Sequence, residues 1–408
     1  MRIALFYNVP SGGAKRALYE WTRRLVGEHT LDVYSLSTAN HSFYDIRPFT
    51  HIHKIYNFVP RKLYKSPYGR FNQLKRWRDL GDLDLLNNQI AVEINAGGYD
   101  ILFANTCMFT FIPALLQYIQ IPSVYYLHEP FGPGFVRHFQ RPYIHEYYWK
   151  KILDRYDPLI KLYFHRLETI QQKSIVKTGL LLANSHFTQE RIRASFGAES
   201  SVCPYGVDFN RFKPEPWLKK ERYVVSVGEM SPRKGFDFII EGLGKIPAKH
   251  RPSLKLACNI VDTQEKSFIE CLASRYNVDL QILTQLDTDE LKFLYNQAKL
   301  CVYTPVLEPF GLVPLEAMAC GTPVVGIREG GVQESVVHEY NGLLVERDTQ
   351  QFATVIQQLL LNPELAKRYG RNGRDYILQN WTWDQSLSRL ISYLEICAGI
   401  RAKADLYC

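Results

Sequence analysis

The chain has 408 residues, of which 46% are hydrophobic and 22% are charged, and it contains no low-complexity tract. This composition is typical of a globular protein with room for two domains, and it excludes an intrinsically disordered chain. The formal net charge of +8 favours an anionic partner, and the distribution of the charge along the chain indicates which kind.

The eight cysteines are widely spaced and form no Cys-x-x-Cys or Cys/His cluster. This spacing favours a reduced, cytosolic setting over a disulfide framework or a zinc site. The chain opens with MRIALFYNVPSGG, which begins a strand almost at once and lacks the blocks of a signal peptide. Residues 101–127 carry no charge, but their prolines and amides predict a buried strand, a helix around 112–118 and a second strand rather than a membrane span. We therefore expect a cytoplasmic protein.

Short apolar runs alternate with helical patterns in both halves of the chain. The predicted strands of the first half are 3–7, 101–104, 124–127 and 180–183, and those of the second half are 223–227, 253–258, 281–283, 300–303 and 323–326. Such runs predict parallel sheets covered by helices on both faces. Ligands of such folds bind beyond the carboxyl ends of the strands.

The first predicted strand is followed by the loop SGGAKR, residues 11–16. The loop is neither Gly-x-Gly-x-x-Gly nor a Walker sequence, which excludes the dinucleotide and P-loop interpretations. Gly12 and Gly13 would allow a diphosphate or an acceptor to approach the backbone closely. A tight turn between a strand and a helix also needs glycine for its own sake, so both interpretations stay open.

Residues 51–78 contain eight lysines and arginines and no acidic residue. Six aromatic residues are interleaved with these cations: Tyr56, Phe58, Tyr64, Tyr68, Phe71 and Trp77. This mixture suits the headgroup region of an anionic bilayer. The alternative is a solvated loop whose aromatic rings pack on the domain. No RNA- or DNA-binding motif accompanies the charge, so nucleic acid is not expected as a partner.

Three further segments suggest a ligand or a domain boundary. His128 follows a predicted strand in LHEPFGPG, 127–134, where a histidine is either a structural residue or a ligand contact. Residues 203–217 contain a glycine and three prolines, which predicts a linker between two domains.

Arg233 and Lys234 lie in a short loop before a helix that Gly235 opens, where two cations can bind a diphosphate. A solvated basic pair is the alternative.

The segment 304–348 predicts a helix start suited to anion binding. Pro314 suits the first position of the helix, and Gly321 suits its left-handed C-terminal cap. The amides just before the proline would lie free at the positive end of the helix dipole, where a diphosphate can accept their hydrogen bonds. These amides belong to Gly311, Leu312 and Val313.

Two glutamates accompany this helix start. Glu316 is expected in the first turn, where its carboxylate can accept hydrogen bonds from two ribose hydroxyls. Glu308 precedes it by eight residues on the entering loop and would face a sugar. A dipole-favoured first-turn glutamate and a solvated loop glutamate are the alternative interpretation.

This Glu-x(7)-Glu pair, set in EPFG and EAMACGTPVV, resembles the family 4 retaining glycosyltransferases of the GT-B fold, the glycosyl transferases group 1. Residues 183–197, 204–214 and 380–399 extend the resemblance over most of the chain. It implies two doubly wound Rossmann-like domains facing each other across a cleft. Residues 1–205 would bind the acceptor, residues 206–382 would bind the nucleotide sugar, and a C-terminal helix in 383–408 would cross back to the first domain.

The resemblance implies retaining transfer of a hexosyl unit from a UDP- or GDP-linked sugar to an acceptor hydroxyl. Glu308 would stabilise the oxocarbenium-like charge, and Glu316 would hold the ribose. Arg233 and Lys234 would stabilise the departing diphosphate, and His128 would lie beside the transferred sugar. The remaining binding residues that the resemblance implies are Gly12, Gly13, Phe310, Gly311, Leu312 and Val313.

The sequence departs from the family pattern at Glu229, where an arginine is usual, and at Cys258 and Asn259, where glycines are frequent. We expect no cofactor besides the donor substrate and no metal. The two Asp-x-Asp sequences, at 82–84 and 287–289, are predicted to be structural, and Asp287 with Glu290 to form a capping box.

The expected acceptor is a lipid-linked or cell-surface glycan precursor, with residues 51–78 at the inner face of the membrane. Two alternatives to the transferase stay open. One is a GT-B nucleotide-sugar epimerase. The other is a non-catalytic nucleotide-sugar-binding scaffold, which Glu229 favours.

Overall fold

The computed structural model describes residues 1–65, 68–129, 139–144 and 156–400. The chain forms two compact units. The N-terminal unit comprises Met1–Asn184, Thr188–Cys203 and the residues from Leu387 onward, and the C-terminal unit comprises Ser185–Phe187 and Pro204–Ser386. Each unit has a hydrophobic core built on its own sheet.

The N-terminal unit contains a parallel sheet whose central strands are almost continuously apolar. Its strands are β1 (Arg2–Asn8), β2 (Thr30–Leu36), β3 (Ile52–Tyr56), β4 (Ile101–Cys107), β5 (Ser123–Leu127), β6 (Leu180–Ala183) and β7 (Ser201–Val202). They lie in the order β3-β2-β1-β4-β5-β6-β7. The central strands are buried on both faces, which is why their sequences lack the alternation of a half-exposed strand.

The helices that follow these strands are α1 (Gly13–Leu25), α2 (Asn72–Ala96), α3 (Pro158–Lys177) and α4 (His186–Phe196). The prediction of an α-helix around 112–118 is wrong, because the structure has only a short 3-10 helix, Ala114–Gln117, at this place. Phe111 has a φ of 60° and Pro113 is extended, so a longer helix cannot begin earlier.

The C-terminal unit contains a second parallel sheet. Its strands are β8 (Tyr223–Val227), β9 (Ser253–Ala257), β10 (Leu280–Leu283), β11 (Leu300–Tyr303), β12 (Val324–Ile327) and β13 (Gly342–Val345), in the order β10-β9-β8-β11-β12-β13. The helices of this unit are α5 (Phe236–Lys245), α6 (Thr263–Arg275), α7 (Thr288–Gln297), α8 (Leu312–Ala319), α9 (Val332–Ser335), α10 (Thr349–Leu361) and α11 (Pro363–Asn380). The last helix, α12 (Trp383–Cys397), belongs to the N-terminal unit from Leu387 onward. The predicted pair of parallel α/β sheets is confirmed.

The strand order reverses once in each sheet. In the N-terminal unit the reversal lies between β1 and β4, and in the C-terminal unit it lies between β8 and β11. The loops that leave the carboxyl ends of two such strands diverge to opposite faces and leave a crevice, which is where ligands of open α/β sheets bind.

The aspartates of the two Asp-x-Asp sequences have structural partners. Asp82 pairs with Arg61 at 2.8 Å, and Asp84 accepts a hydrogen bond from the Tyr118 hydroxyl at 2.9 Å. The predicted capping box of α7 is confirmed: the Asp287 carboxylate accepts the Glu290 amide, and the Glu290 carboxylate accepts the Asp287 amide, both at 2.8 Å. Among the described residues, no helix combines the length and the hydropathy that a membrane span requires.

Asp287→Ala is expected to lower the stability of the C-terminal unit by about 1 kcal/mol, because the first turn of α7 loses its cap. Asp287→Asn should change stability by only a few tenths of a kcal/mol, because asparagine is an equally good cap. Calorimetric melting would show a fall of about 2–4 °C for the alanine variant alone. Equal losses in both variants would indicate that the charge of Asp287 matters for another reason.

Candidate functional site

Helix α8 begins with a left-handed glycine. Gly311 has a φ of 93° and ψ of 87° and is the N-cap, so Leu312 and Val313 are the first two helical residues. The prediction that Pro314 occupies the first position is therefore wrong, since it is third. The displacement does not change the predicted anion site, because the N–H groups of Gly311, Leu312 and Val313 still have no intrahelical acceptor and Pro314 carries no N–H.

The carboxyl end of α8 is closed as predicted by Gly321, whose φ is 72°. The Gly321 amide donates to the Met318 carbonyl, and the Thr322 amide donates to the Ala317 carbonyl, both at 2.9 Å. This pair of bonds is a Schellman motif, which fixes the last turn. The short helix is thus held at its carboxyl end.

Glu316 is the fifth residue of α8 and lies in the second turn, not in the first as predicted. The earlier start of the helix at Gly311 causes this shift. The side chain still leans toward the amino end, because Cα–Cβ bonds in a helix tilt that way. Glu316 is buried, and its Oε2 accepts a hydrogen bond of 2.8 Å from the hydroxyl of Tyr295 in α7.

Glu308 and Lys234 form an ion pair at the reversal of the strand order. Lys234 lies in the loop after β8 and Glu308 in the loop after β11, and Nζ is 3.0 Å from Oε2. Both side chains are largely buried, with 13% and 17% exposed. Burial alone would raise the pKa of Glu308, but the charges of Lys234 and Arg233 outweigh it and hold the pKa below its usual value. Glu308 is therefore ionised at neutral pH.

The other residues of the β8 loop are fixed by hydrogen bonds. The carbonyl of Arg233 accepts the amide of Val306 at 2.9 Å, which joins the two loops through their backbones. Glu229 occupies the position where the resemblance implied an arginine, and its carboxylate accepts the Ser231 hydroxyl at 3.1 Å. The loop therefore contains an acid beside the two predicted phosphate contacts.

Glycines allow these loops to approach one another. Gly330 has a φ of 67°, and a Cβ there would lie 2.3 Å from the Glu308 carbonyl oxygen. A Cβ on Gly331 would lie 2.2 Å from the Pro309 carbonyl oxygen, and the Gly331 amide donates to the Glu308 carbonyl at 2.9 Å. The backbone at Glu308 is thus positioned by residues after β12.

Arg347 also positions this loop, a role that was not predicted from the sequence. Its guanidinium donates to the carbonyls of Thr304 and Pro305, at 3.1 and 3.0 Å, and pairs with Glu329 at 2.8 Å. Arg347 is distant in sequence from the residues it holds.

Phe310, a predicted binding residue, is buried against two aromatic rings. Its ring centroid lies 4.9 Å from that of Tyr205 and 5.6 Å from that of Trp381. Its side chain is therefore part of the core.

The remaining predicted site residues lie in the N-terminal unit. Gly12 has a φ of 138° and is the N-cap of α1, and Gly13 is the first residue of that helix. His128 follows β5 and is buried, with Nε2 2.9 Å from Asn105 Oδ1 and its carbonyl accepting the Asn184 amide nitrogen at 2.7 Å. Burial lowers the pKa of His128 to about 3, so the imidazole is neutral at physiological pH. Residues 130–134 of the predicted motif lie outside the described residues.

Lys15 is a buried cation that the sequence did not single out. It lies in the first turn of α1, next to the glycine pair, and its ammonium is 4.0 Å from the centroid of the Tyr7 ring. Within the described residues its Nζ has no hydrogen-bond partner. Burial lowers the pKa of Lys15 to about 8. A fully buried lysine is rarely visible in sequence, because nothing in its neighbours distinguishes it from a surface residue.

Two Rossmann-like units, each built on a parallel sheet, form the fold of the GT-B class of glycosyltransferases. Solved structures of this class share the fold: sucrose-phosphate synthase from Thermosynechococcus elongatus matches with a TM-score of 0.72 at 21% identity, covering 98% of this chain and 99% of that one. The Anabaena protein HepE in complex with UDP and glucose matches with a TM-score of 0.71 at 19% identity, covering 97% of this chain and 99% of that one.

The chain belongs to glycosyltransferase family 4: the model of that name matches residues 11–211, and the model of the glycosyl transferases group 1 matches residues 208–376. A relative is the GDP-mannose-dependent alpha-(1-6)-phosphatidylinositol monomannoside mannosyltransferase of Mycobacterium tuberculosis, which is 28% identical over 53% of this chain. That match spans 62% of the relative's length. Another relative is the MMP alpha-(1->4)-mannosyltransferase of Mycolicibacterium hassiacum, which is 24% identical over 73% of this chain and 71% of the relative's length.

Lys234→Met is expected to destabilise the C-terminal unit by roughly 2 kcal/mol at pH 7, because Glu308 stays buried without its nearest cation. The lowered pKa of Glu308 means that its ion pair stabilises the native protein at neutral pH and loses that effect as the pH falls through the native pKa. Without Lys234 the pKa of Glu308 rises, so the stability difference between the variant and the native protein should shrink as the pH falls and Glu308 takes up a proton. Urea unfolding from pH 7 to pH 4 measures both effects.

The double variant Lys234→Met/Glu308→Gln is the control, because it removes the unpaired charge and should recover most of the lost stability. An unchanged unfolding midpoint in Lys234→Met would show that the ion pair contributes nothing to the site's integrity.

Proposed function

We propose that the protein transfers a hexosyl unit, with retention of configuration, from a nucleotide diphosphate sugar to an acceptor hydroxyl. The observation that carries the proposal is the buried, ionised Glu308, held 3.0 Å from Lys234 beside the amino end of α8. This arrangement combines a carboxylate for a developing positive charge with cations and amides for a diphosphate. Both requirements of glycosyl transfer are thereby supplied within one unit.

The leaving diphosphate develops charge as the glycosidic bond breaks, and preorganised donors stabilise it best. The amides of Gly311, Leu312 and Val313, with Arg233 and Lys234, would supply these donors. Glu316 would accept the ribose hydroxyls, with Tyr295 fixing one of its oxygens at 2.8 Å. The acceptor hydroxyl would attack from the face that the diphosphate leaves, and a phosphate oxygen would take its proton.

We propose that no metal is needed, since protein cations can neutralise the diphosphate and the Asp-x-Asp carboxylates have other partners. His128 would act as a neutral hydrogen-bonding group, since its lowered pKa leaves the imidazole unprotonated at neutral pH. The donor base is proposed to be uracil or guanine. The relatives' names favour guanine through GDP-mannose, and HepE was solved with UDP.

Glu316→Ala is expected to weaken UDP or GDP binding about 10- to 100-fold, since it removes charge-assisted hydrogen bonds to the ribose. Glu308→Gln should leave nucleotide affinity within about threefold but lower turnover by about 10²–10³-fold, because it removes charge that acts in the transition state. Calorimetry with both nucleotides and a donor-hydrolysis assay in EDTA measure these effects.

Asp287→Asn is the matched control, since it removes a carboxylate of the same unit while keeping its cap. Absence of nucleotide binding by the native chain would overturn the proposal. Tight nucleotide binding without transfer or hydrolysis would favour the non-catalytic scaffold, which the acid at Glu229 supports. Conversion of the nucleotide sugar without an acceptor would favour the epimerase.

We also propose that residues 51–78 contact an anionic membrane surface, which would suit a lipid-linked acceptor. Several apolar and aromatic side chains of this segment are exposed: Val59, Leu63, Tyr64, Tyr68 and Phe71. Arg61 pairs with Asp79 and Arg70 pairs with Asp157. In the described part of the chain Lys62, Lys65, Arg76 and Arg78 form no ion pair, so their charges are available to lipid phosphates.

Vesicles of phosphatidylcholine with phosphatidylglycerol should bind the protein at low salt, and pure phosphatidylcholine should not. Replacing the four cations Lys62, Lys65, Arg76 and Arg78 by glutamine should weaken this binding at least about tenfold, at roughly 1 kcal/mol per residue near the surface. The control replaces four exposed lysines elsewhere: Lys173, Lys177, Lys245 and Lys249. Equal loss in both variants would show a net-charge effect and remove the segment from the proposal.

A further inference from the structure

A cavity of about 570 Å³ lies in the C-terminal unit at the edge of the sheet opposite the ion pair. Leu300 and Pro323, at the amino ends of β11 and β12, line one side. Helix α11 and the chain segment around 214–220 form other walls. This volume suits a small organic molecule. The cavity is separate from Glu308 and the amino end of α8, which lie beyond the carboxyl ends of the same strands.

The cavity combines apolar walls with an excess of basic residues. Leucine and proline side chains provide the apolar lining. The basic residues are Lys220, Lys299, Lys367, Arg371 and Arg374, and the acidic ones are Glu215, Glu364 and Asp375. Glu215 is already paired with Lys292 at 3.1 Å. The amino end of α11 also opens here, which adds positive potential. An anion with an apolar body complements this lining.

A chain of hydrogen bonds runs from the cavity to the proposed ribose-binding carboxylate. Lys220 Nζ donates to Thr322 Oγ1 at 2.7 Å, and that hydroxyl donates to the Tyr295 carbonyl at 2.7 Å. The hydroxyl of the same tyrosine donates to Glu316 Oε2 at 2.8 Å. Thr322 and Tyr295 are fully buried, so neither exchanges its partner for water without a cost. Each link is therefore sensitive to the one before it.

Lys220 connects the two features. An ammonium has three donors, and Thr322 takes one of them, so the group can also bind an anion in the cavity. An anion that draws Lys220 away from Thr322 would loosen the backbone at Tyr295 and, through it, the orientation of Glu316. Lys220 and Glu316, the two ends of this series of hydrogen bonds, lie in the same compact unit.

We infer that this cavity is a second ligand site, that it binds a small amphipathic anion with an apolar body and one anionic group, and that its occupancy weakens nucleotide binding at Glu316. The second half of the inference rests on the proposed function. The first half, binding at the cavity, does not depend on it.

Phenyl phosphate is a suitable probe, because it joins an aromatic ring to an anionic group. Calorimetry on the full chain should show that it binds at least about tenfold more tightly than inorganic phosphate or benzyl alcohol, each of which lacks one of these features. Lys220→Met and Ala366→Phe should each weaken binding at least about tenfold, the first by removing a cation and the second by filling the cavity. Lys219→Met, an exposed neighbour that does not line the cavity, is the matched control and should bind within about twofold of the native protein.

The diphosphate site could also attract this probe, and Lys234→Met separates the two. Retained binding in Lys234→Met with lost binding in Ala366→Phe supports the cavity. Absence of binding, loss in Lys234→Met or unchanged binding in Ala366→Phe overturns the inference. Because Lys220→Met and Ala366→Phe alter different walls, failure of one to fold leaves the other to decide.

The coupling is measured as the affinity for UDP and GDP with and without saturating phenyl phosphate. We expect nucleotide affinity to fall at least about threefold, and the affinity for the probe to fall by the same factor when nucleotide is present, because linkage is reciprocal. Thr322→Val should still bind the probe but lose this effect, since valine cannot relay the hydrogen bond. Unchanged nucleotide affinity in the native protein overturns the coupling. If neither nucleotide binds, the proposed function and the coupling both fail, whereas probe binding at the cavity is judged by itself.

Discussion

The pairing of β8 with β11 determines the site of the C-terminal unit. These strands are neighbours in the sheet although they are far apart in sequence, and the strand order reverses between them. Their loops therefore leave the same edge of the sheet, which brings Lys234 to within 3.0 Å of Glu308. Helix α8 begins directly after the loop that follows β11, so β11 also determines the position of the amino end of α8. A change in this one strand pairing would separate the cations, the carboxylate and the helix start.

Charge balance then determines what the site can do. A buried carboxylate without cations would take up a proton and could not stabilise positive charge. Lys234 and Arg233 prevent this and keep Glu308 ionised. The same cations would have to serve a diphosphate, so the carboxylate and the leaving group would share them. His128 contrasts with this arrangement, because burial lowers its pKa and keeps the imidazole neutral.

Much of the fold could be predicted because the buried strands are plain apolar runs, and β6, β8 and β11 begin and end where the sequence predicted. Strands β2, β3, β7 and β13 were missed. In β2 a charged residue, Asp32, interrupts the pattern, and only its three-dimensional contacts with Arg2 and Tyr99 explain its burial. The candidate site was predictable where its parts are contiguous, as in the segment that contains Glu308 and Glu316. Tyr295, Arg347 and Lys15 were missed because their roles depend on contacts made after folding, and the helix start was misplaced because the conformation of Gly311 outweighed the preference of proline.

Gly330 and Gly331 lie against the backbone of Glu308 and Pro309 at distances that leave no room for even one more carbon atom. Variants of this chain will therefore tolerate replacement poorly at these two positions, although glycine has no functional group. A map of inactivating substitutions would include positions whose side chains carry no chemistry. Proximity to the backbone at Glu308 would predict such positions better than the presence of a functional group.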